Sequence, residues 1–117
     1  MVRYMIVEDD EMVLRATSRL ALSHGFDVKG FLYPDEDIFR YNETMRPDVV
    51  QLDGLEGACF EVHERLRVSN PGAHYVVYSS EDSPAFIADV VHRGMVYLSK
   101  FKSTLDNYLT HLEEGEE

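Results

Sequence analysis

The sequence predicts a doubly wound α/β sandwich, a (βα)5 arrangement with one five-stranded parallel sheet between two layers of helices. Short apolar runs alternate five times with patterns of helical periodicity. The connections between them are short, and strict alternation of this kind implies right-handed crossovers between parallel strands. The length of 117 residues suits one domain. We expect residues 1–112 to form that domain and residues 113–117 to be an acidic tail or the start of a linker.

The first half of the chain contains two strand–helix units. The first strand is predicted at residues 3–7, and a helix follows from Glu11. Gly25 is expected to close this helix, because glycine tolerates the left-handed conformation that ends helices. The i, i+3, i+4, i+7 spacing predicts the inner face of this helix: Val13, Ala16, Thr17 and Leu20. The second strand is predicted at residues 26–31, and Pro34 with the acidic residues 35–37 is expected to open the second helix.

The second half contains three more strands, at residues 49–52, 75–78 and 96–98. The third helix ends at residues 69–72, and the fourth begins with Ser83 as its N-cap and Pro84 in its first turn, before ending at Gly94. The predicted inner faces are these: Cys59, Val62 and Leu66 in the third helix; Ile87, Val90 and Val91 in the fourth; Leu105, Tyr108, Leu109 and Leu112 in the last.

The composition argues against several classes of partner. Lys and Arg number 11 against 22 Asp and Glu, a net charge of -11, so direct binding to nucleic acid or to anionic membranes is not expected. The densest basic stretch, residues 63–67, falls within a predicted helix. The apolar runs span only a few residues, whereas a membrane span needs about 20. A single cysteine, Cys59, and the lack of a signal-peptide pattern lead us to expect a cytoplasmic protein.

Polar and charged residues follow four of the predicted strands, at the point where each strand ends. In doubly wound sheets, ligands bind beyond the carboxyl ends of the strands, where the strand order reverses. These ends carry Glu8, Asp9, Asp10 and Glu11 after the first strand, Asp53 after the third, Ser79 and Ser80 after the fourth, and Ser99 and Lys100 after the fifth. We therefore expect carboxylates, a hydroxyl group and one lysine at the same edge of the sheet.

These residue types are consistent with phosphoryl-transfer chemistry. Mg2+ prefers oxygen ligands and typically takes one or two carboxylates plus a phosphate. Glu8 and Asp9 are predicted to hold Mg2+, with Asp53 as the third ligand and as the nucleophile. Ser79 is predicted to donate to a phosphoryl oxygen and Lys100 to neutralise another.

Each of these residues also has a purely structural interpretation. Asp9 or Asp10 is suited to cap the first helix, and we assign that role to Asp10 and Glu11. Asp53 followed by Gly54 is a common turn dipeptide. Cys59 fits the inner face of the third helix. All five histidines lack metal-ligand spacing and are interpreted as structural or surface residues: His24, His63, His74, His92 and His111.

Four segments in order resemble the receiver domain of two-component response regulators, over essentially the whole chain. Residues 5–11 (Met-Ile-Val-Glu-Asp-Asp-Glu) resemble its first strand and acidic pair. Residues 46–53 (Arg-Pro-Asp-Val-Val-Gln-Leu-Asp) resemble its third strand, which ends in the phosphoacceptor. Residues 76–80 (Val-Val-Tyr-Ser-Ser) resemble the fourth strand with its hydroxyl switch, and residues 97–100 (Tyr-Leu-Ser-Lys) the fifth strand with its lysine and aromatic switch.

The resemblance implies a signalling switch that catalyses only its own phosphorylation and dephosphorylation. A sensor histidine kinase or a histidine phosphotransfer protein would phosphorylate Asp53 in the presence of Mg2+. The backbone carbonyl of Leu55 would complete the protein ligands of the metal. Ser79 and Tyr97 would then move, and the face of the fourth helix, fifth strand and fifth helix would change its affinity for an unidentified downstream protein.

The sequence departs from the receiver pattern at two places that bear on phosphorylation. The loop after Asp53 is about two residues short, and Phe101 follows Lys100 where the family usually has proline. The alternative is therefore a pseudo-receiver, a protein-interaction module that switches without phosphorylation. A flavodoxin-like FMN binder is excluded because the loop after the first strand is acidic. A haloacid-dehalogenase-type phosphatase is excluded because Asp53-Gly-Leu lacks its Asp-x-Asp motif.

Overall fold

The computed structural model describes residues 1–102 and 104–115, which form five strands alternating with five α-helices. The strands are β1 (Arg3–Glu8), β2 (Asp27–Leu32), β3 (Val49–Leu52), β4 (His74–Ser79) and β5 (Val96–Ser99). The helices are α1 (Glu11–Ser23), α2 (Asp37–Met45), α3 (Cys59–Ser69), α4 (Pro84–His92) and α5 (Thr104–Glu113), and a 3-10 turn lies at Leu55–Gly57. No helix in the described part of the chain is long and apolar enough to cross a membrane.

The five strands form one parallel sheet in the order β2-β1-β3-β4-β5. Side chains alternate between its two faces because successive residues of a strand point in opposite directions. In β1, Tyr4 and Ile6 pack toward α1 and α5, whereas Met5 and Val7 pack toward α2, α3 and α4. The sheet is therefore covered on both faces, and the predicted doubly wound sandwich is confirmed.

Most predicted elements are confirmed, and the differences at their ends have local causes. β2 begins one residue later than predicted because the N–H of Phe26 still bonds the carbonyl of Ala21 (3.4 Å) in the turn that ends α1. α2 begins at Asp37, after Pro34, because the Asp35 carboxylate accepts the Asp37 N–H (2.9 Å) in a turn that precedes the helix. The acidic tail predicted at residues 113–117 lies partly outside the described residues, at 116 and 117.

Two residues predicted to lie on inner helix faces are exposed. Ala16 faces solvent, and the buried positions of α1 are Thr17 and Ala21. Val91 is 58% exposed, whereas Val90 is fully buried. A contiguous apolar run does not tell which of two neighbours faces inward, because consecutive helical residues lie about 100° apart around the axis. Cys59, Val62 and Leu66 are buried as predicted.

His24 connects the end of α1 to α5 on one side of the sandwich. Its Nε2 lies 2.8 Å from Asp106 Oδ1 and its Nδ1 lies 2.6 Å from Glu113 Oε1. Hydrogen bonds to Asp106 and Glu113 raise the pKa of His24 above its usual value. The protonated ring therefore holds α5 against the end of α1 through two charge-assisted hydrogen bonds.

We predict that this contact makes stability depend on pH. Because the pKa of His24 is higher in the folded state, its contribution is complete below the unfolded value of about 6.5 and is lost as the pH rises through the folded pKa. The difference in Tm between wild type and His24→Gln should therefore be larger at pH 6 than at pH 9. The control His92→Gln, at an exposed position on α4, should leave this pH dependence unchanged. An equal difference for His24→Gln at both pH values would contradict the prediction.

Candidate functional site: an acidic cluster at the carboxyl edge of the sheet

The order of the strands brings the predicted site residues together. β1 and β3 are neighbours, and the strand order reverses at this point of the sheet, where ligands bind in doubly wound folds. Glu8 is the last residue of β1, and Asp53 follows β3 with its N–H bonded to the Val7 carbonyl (2.9 Å). Lys100 follows β5, and its N–H bonds the Ser79 carbonyl (2.9 Å). Backbone pairing therefore fixes the positions from which these side chains extend.

Three carboxylates form the centre of the site. Glu8, Asp9 and Asp53 each offer an oxygen, and these oxygens all lie within 4.8 Å of one another. Glu8 is 1% exposed, whereas Asp9 faces solvent. Asp10 does not join the cluster, because its carboxylate accepts the N–H groups of Met12 and Val13 as the N-cap of α1. The structural role predicted for Asp10 is thus confirmed.

Lys100 is the cation of the site. Its ammonium lies 2.5 Å from Asp53 Oδ1 and 3.2 Å from Glu8 Oε1. Burial disfavours its charge, but hydrogen bonds and the negative charges of Asp53 and Glu8 outweigh burial and raise its pKa. The peptide bond between Lys100 and Phe101 is trans, since Tyr33–Pro34 is the one cis bond among the described residues. Lys100 reaches Asp53 despite the absence of proline at position 101.

Crowding of like charges affects the protonation of the carboxylates. Burial, followed by the negative charge of Asp53, raises the pKa of Glu8 to about 7, although Lys100 opposes this shift. Burial and Asp53 also raise the pKa of Asp9. The negative charge in the cluster therefore exceeds what one lysine neutralises, and an added cation would relieve the repulsion. Hard carboxylate oxygens of this number suit a divalent ion such as Mg2+.

Ser79 lies beside Asp53 in a very confined position. Its side chain is 3% exposed, and its Oγ accepts the N–H of Glu81 (3.0 Å). Gly54 packs against it so closely that a Cβ at position 54 would lie 2.7 Å from Ser79 Oγ. With Phe86, these residues line a cleft of about 490 Å³ that also contains Asp53 and Asp9. The sequence does not indicate the role of Gly54, because its contact is with a residue 25 positions away.

The short loop after Asp53 is a 3-10 turn with left-handed backbone. Leu55, Glu56 and Gly57 have φ angles of 52°, 53° and 96°. The Leu55 N–H donates to Asp53 Oδ2 (3.0 Å), which orients the carboxylate. The Leu55 carbonyl accepts the N–H of Ala58 (3.0 Å). Its expected role as a metal ligand stays a prediction.

Tyr97 is tied to the loop that connects β4 with α4. Its hydroxyl donates to the Glu81 carbonyl (2.5 Å), and its ring meets Phe86 edge-on, with centroids 6.3 Å apart. Glu81 thus contacts Ser79 through its N–H and Tyr97 through its carbonyl. The two residues expected to act as switches are therefore linked through one loop residue, which sequence reasoning had not placed between them.

Comparison with known proteins gives a clear result for structures only. The sequence matches no protein-family model and no curated protein. A response regulator receiver protein from Burkholderia phymatum matches at 26% identity and a TM-score of 0.77, covering 98% of this chain and 96% of that chain. A response regulator from Thermotoga maritima matches at 21% identity and a TM-score of 0.81, covering 99% and 98%. This chain has the receiver-domain fold of response regulators.

A third matched structure contains a bound ion and a modified residue. A response regulator protein from Burkholderia pseudomallei, with a phosphorylated aspartic acid and a calcium ion, matches at 18% identity and a TM-score of 0.73. The match covers 97% of this chain and 72% of that chain. The resemblance inferred from the sequence motifs is confirmed at the level of the fold.

We predict that alanine at position 54 will displace Ser79. The new Cβ would lie 2.7 Å from Ser79 Oγ, so the hydroxyl must rotate away and lose the Glu81 N–H. Gly54→Ala should lower the free energy of unfolding by about 1 kcal/mol, the net worth of a typical hydrogen bond. Gly72→Ala is the matched control, because nothing lies within 4 Å of a Cβ there. Denaturant unfolding that ranks the two variants equally would disprove the predicted clash.

Proposed function

We propose that this receiver domain accepts a phosphoryl group on Asp53 and thereby switches the surface near Tyr97. The observation that carries the proposal is the placement of Lys100 Nζ 2.5 Å from Asp53 Oδ1, beside the carboxylates of Glu8 and Asp9. One nucleophile, one cation and a pair of further acids at the edge of a doubly wound sheet are the parts that phosphoryl transfer requires.

In the proposed reaction, a carboxylate oxygen of Asp53 attacks the phosphorus of a phosphohistidine. The new P–O bond forms as the P–N bond breaks, and the electron pair returns to the imidazole nitrogen, which takes up a proton. The product is an acyl phosphate on Asp53, and water reverses the modification by hydrolysis. The donor is a sensor histidine kinase or a histidine phosphotransfer protein. The domain promotes only its own phosphorylation and dephosphorylation.

The surrounding residues are suited to stabilise charge on the transferred group. The Lys100 ammonium, already at hydrogen-bond distance from Asp53, would neutralise one phosphoryl oxygen. The Ser79 hydroxyl lies in the same cleft and would donate to a second oxygen. Glu8, Asp9 and Asp53 would hold Mg2+, which supplies positive charge to the phosphoryl oxygens when it is bound. The carbonyl of Leu55 is proposed as a further ligand.

Movement of Ser79 would be transmitted through Glu81. A hydroxyl that turns toward a phosphoryl oxygen weakens its hydrogen bond with the Glu81 N–H. The Glu81 carbonyl holds the Tyr97 hydroxyl, so displacement of this loop would release Tyr97 and permit its ring to turn inward. The face of α4, β5 and α5 would then change its affinity for a downstream protein.

The second candidate function is a pseudo-receiver that binds partners without phosphorylation. The left-handed turn at Leu55–Gly57 favours this alternative, because it engages the Leu55 carbonyl with Ala58 N–H. A turn that stays closed would weaken metal binding and with it phosphorylation. Measurements of Mg2+ binding and of phosphorylation would distinguish a phosphorylated receiver from a pseudo-receiver.

We predict one Mg2+-dependent phosphoryl adduct on the wild-type protein. Intact mass would be measured after incubation with a small phosphodonor, with Mg2+ or with EDTA. Asp53→Asn should abolish the adduct, because the amide is not a nucleophile of this kind. Lys100→Gln should lower the yield at least tenfold, since one charge-assisted contact with the phosphoryl group is worth more than about 1.4 kcal/mol.

The control is Lys102→Gln, an exposed lysine two residues beyond Lys100, which should be phosphorylated like wild type. No adduct from either the small donor or a phosphorylated histidine protein, together with no Mg2+ binding by calorimetry, would reject phosphorylation. That pair of results would leave the pseudo-receiver as the function.

A further inference from the structure

A groove opens at the opposite edge of the sheet from Asp53. It lies between the ends of α3 and α4, where β4 and β5 begin, and has a volume of about 310 Å³. Its lining residues are His63, Arg67, Pro71, Ala73, His74, Tyr75, Arg93, Gly94 and Val96. This volume is near the lower end of the range of small-molecule sites, about 300–1,000 Å³. His63 and Arg67, the two ends of the densest basic stretch of the sequence, contribute to the lining of the groove.

The charge of this groove is opposite to that of the protein. The chain has a net charge of -11, yet no carboxylate occurs among the residues that line the groove, and two arginines and two histidines do. The acidic cluster at Asp53 lies at the other end of the strands. Glu64 and Asp89 pair with the two arginines from outside the lining, so an anion would be attracted here by the guanidinium N–H groups that these pairs leave unused.

His63 is buried without a hydrogen-bond partner. Its side chain belongs to a residue that is 5% exposed, and its ring packs edge-on against Tyr75 with centroids 4.8 Å apart. Neither ring nitrogen has a partner among the described residues, and neither is sealed from solvent. The Tyr75 hydroxyl is engaged with the Asn70 carbonyl (2.8 Å) and does not serve His63. The ring nitrogens of His63 are therefore open to solvent on a residue that lines the groove.

The two arginines are only partly paired. Arg93 uses Nε on Asp89 Oδ1 (3.1 Å), and its guanidinium lies 4.5 Å from the centre of the Phe60 ring. Its two terminal nitrogens have no hydrogen-bond partner within the described residues. Arg67 has one contact, 3.4 Å long, with Glu64. Asp89 and the Phe60 ring hold the Arg93 guanidinium in place, and its terminal N–H groups remain free to donate hydrogen bonds. This arrangement favours a ligand with several acceptor oxygens.

We propose that this groove binds the phosphate group of a small phosphomonoester, with donors from Arg67, Arg93 and His63. A phosphate offers three terminal oxygens and a charge near -2, which matches two guanidinium groups better than a single carboxylate does. The small apolar residues at positions 71, 73 and 96 leave space for an organic part beyond the phosphate.

The pKa of His63 can be measured in addition to the binding affinity. Burial, followed by the positive charge of Arg67, lowers its pKa, with a smaller contribution of the same sign from Arg93, while Glu64 opposes the shift. Arg67 and Glu64 belong to α3, and Arg93 is the C-cap of α4. From β4, Tyr75 packs against the ring and His74 lines the same groove. A bound dianion reverses the balance of charge around the ring. The pKa of His63 should therefore rise on binding.

The test is a titration of the full chain with glycerol phosphate at constant ionic strength, in EDTA so that the acidic cluster holds no metal. Imidazole signals would be followed by NMR. Those of His63 and His74 should shift to saturation, and that of His92, on α4 outside the groove, should not. Arg67→Gln should weaken binding about tenfold, the effect of one charge-assisted hydrogen bond. Arg15→Gln, an exposed arginine on α1, is the matched control.

Each outcome decides the proposal. Saturation with a Kd that only Arg67→Gln raises, and a higher pKa of His63 in the bound state, would support it. Equal Kd values for inorganic phosphate and glycerol phosphate would support the phosphate contacts and would overturn a contribution from an organic part beside positions 71, 73 and 96. Shifts that do not saturate, or that Arg15→Gln and Arg67→Gln change equally, would overturn it as non-specific contact with an ion.

Discussion

The repulsion among Glu8, Asp9 and Asp53 is the constraint on which the site depends. With their oxygens within 4.8 Å of one another, each ionised pair repels by about 3 kcal/mol or more at an effective dielectric constant of about 20. One ammonium, that of Lys100, does not balance three carboxylates. Burial, followed by the negative charge of Asp53, raises the pKa of Glu8 to about 7. The cluster would therefore be stabilised by an added cation. The fold maintains it because the strands that position these residues are fixed by backbone hydrogen bonds on both sides.

The same parallel sheet separates charge along its length. The carboxyl ends of β1 and β3 gather the acids, whereas the beginnings of β4 and β5 lie beside Arg67 and Arg93. Both arginines are near the ends of their helices, where the partial negative charge of the helix dipole favours cations. The helix dipole accounts for an arginine at such a position. It does not account for His63, which is 5% exposed and makes no hydrogen bond within the described residues. His63 is thus the residue whose titration tests the proposed anion site against ordinary placement of charge at helix ends.

The positions of Glu8, Asp53, Ser79 and Lys100 could be predicted because they depend on one rule. Parallel strands end at a common edge of the sheet, so the position of a residue just after a strand can be predicted without knowing its distant contacts. The two ends of α1 could also be predicted from the sequence: Asp10 caps its beginning, and Gly25, with a φ of 83°, follows its end. By contrast, the contact of Gly54 with Ser79 and the bridge through Glu81 arise from the packing of separate segments. No local pattern encodes such contacts.

The loop after Asp53 connects the two candidate functions in physical terms. Leu55 and Glu56 both adopt left-handed backbone, a conformation that costs a residue with a side chain roughly 1–2 kcal/mol. Burial of the Leu55 side chain and the bond from its N–H to Asp53 hold the turn in place. A cation that takes the Leu55 carbonyl must compete with one bond, that from Ala58 N–H, while opening the turn releases strain. That hydrogen bond is worth only about 1 kcal/mol, so the closed turn weakens the proposed coordination by Leu55 without preventing it, and Mg2+ binding is the property that distinguishes the two candidate functions.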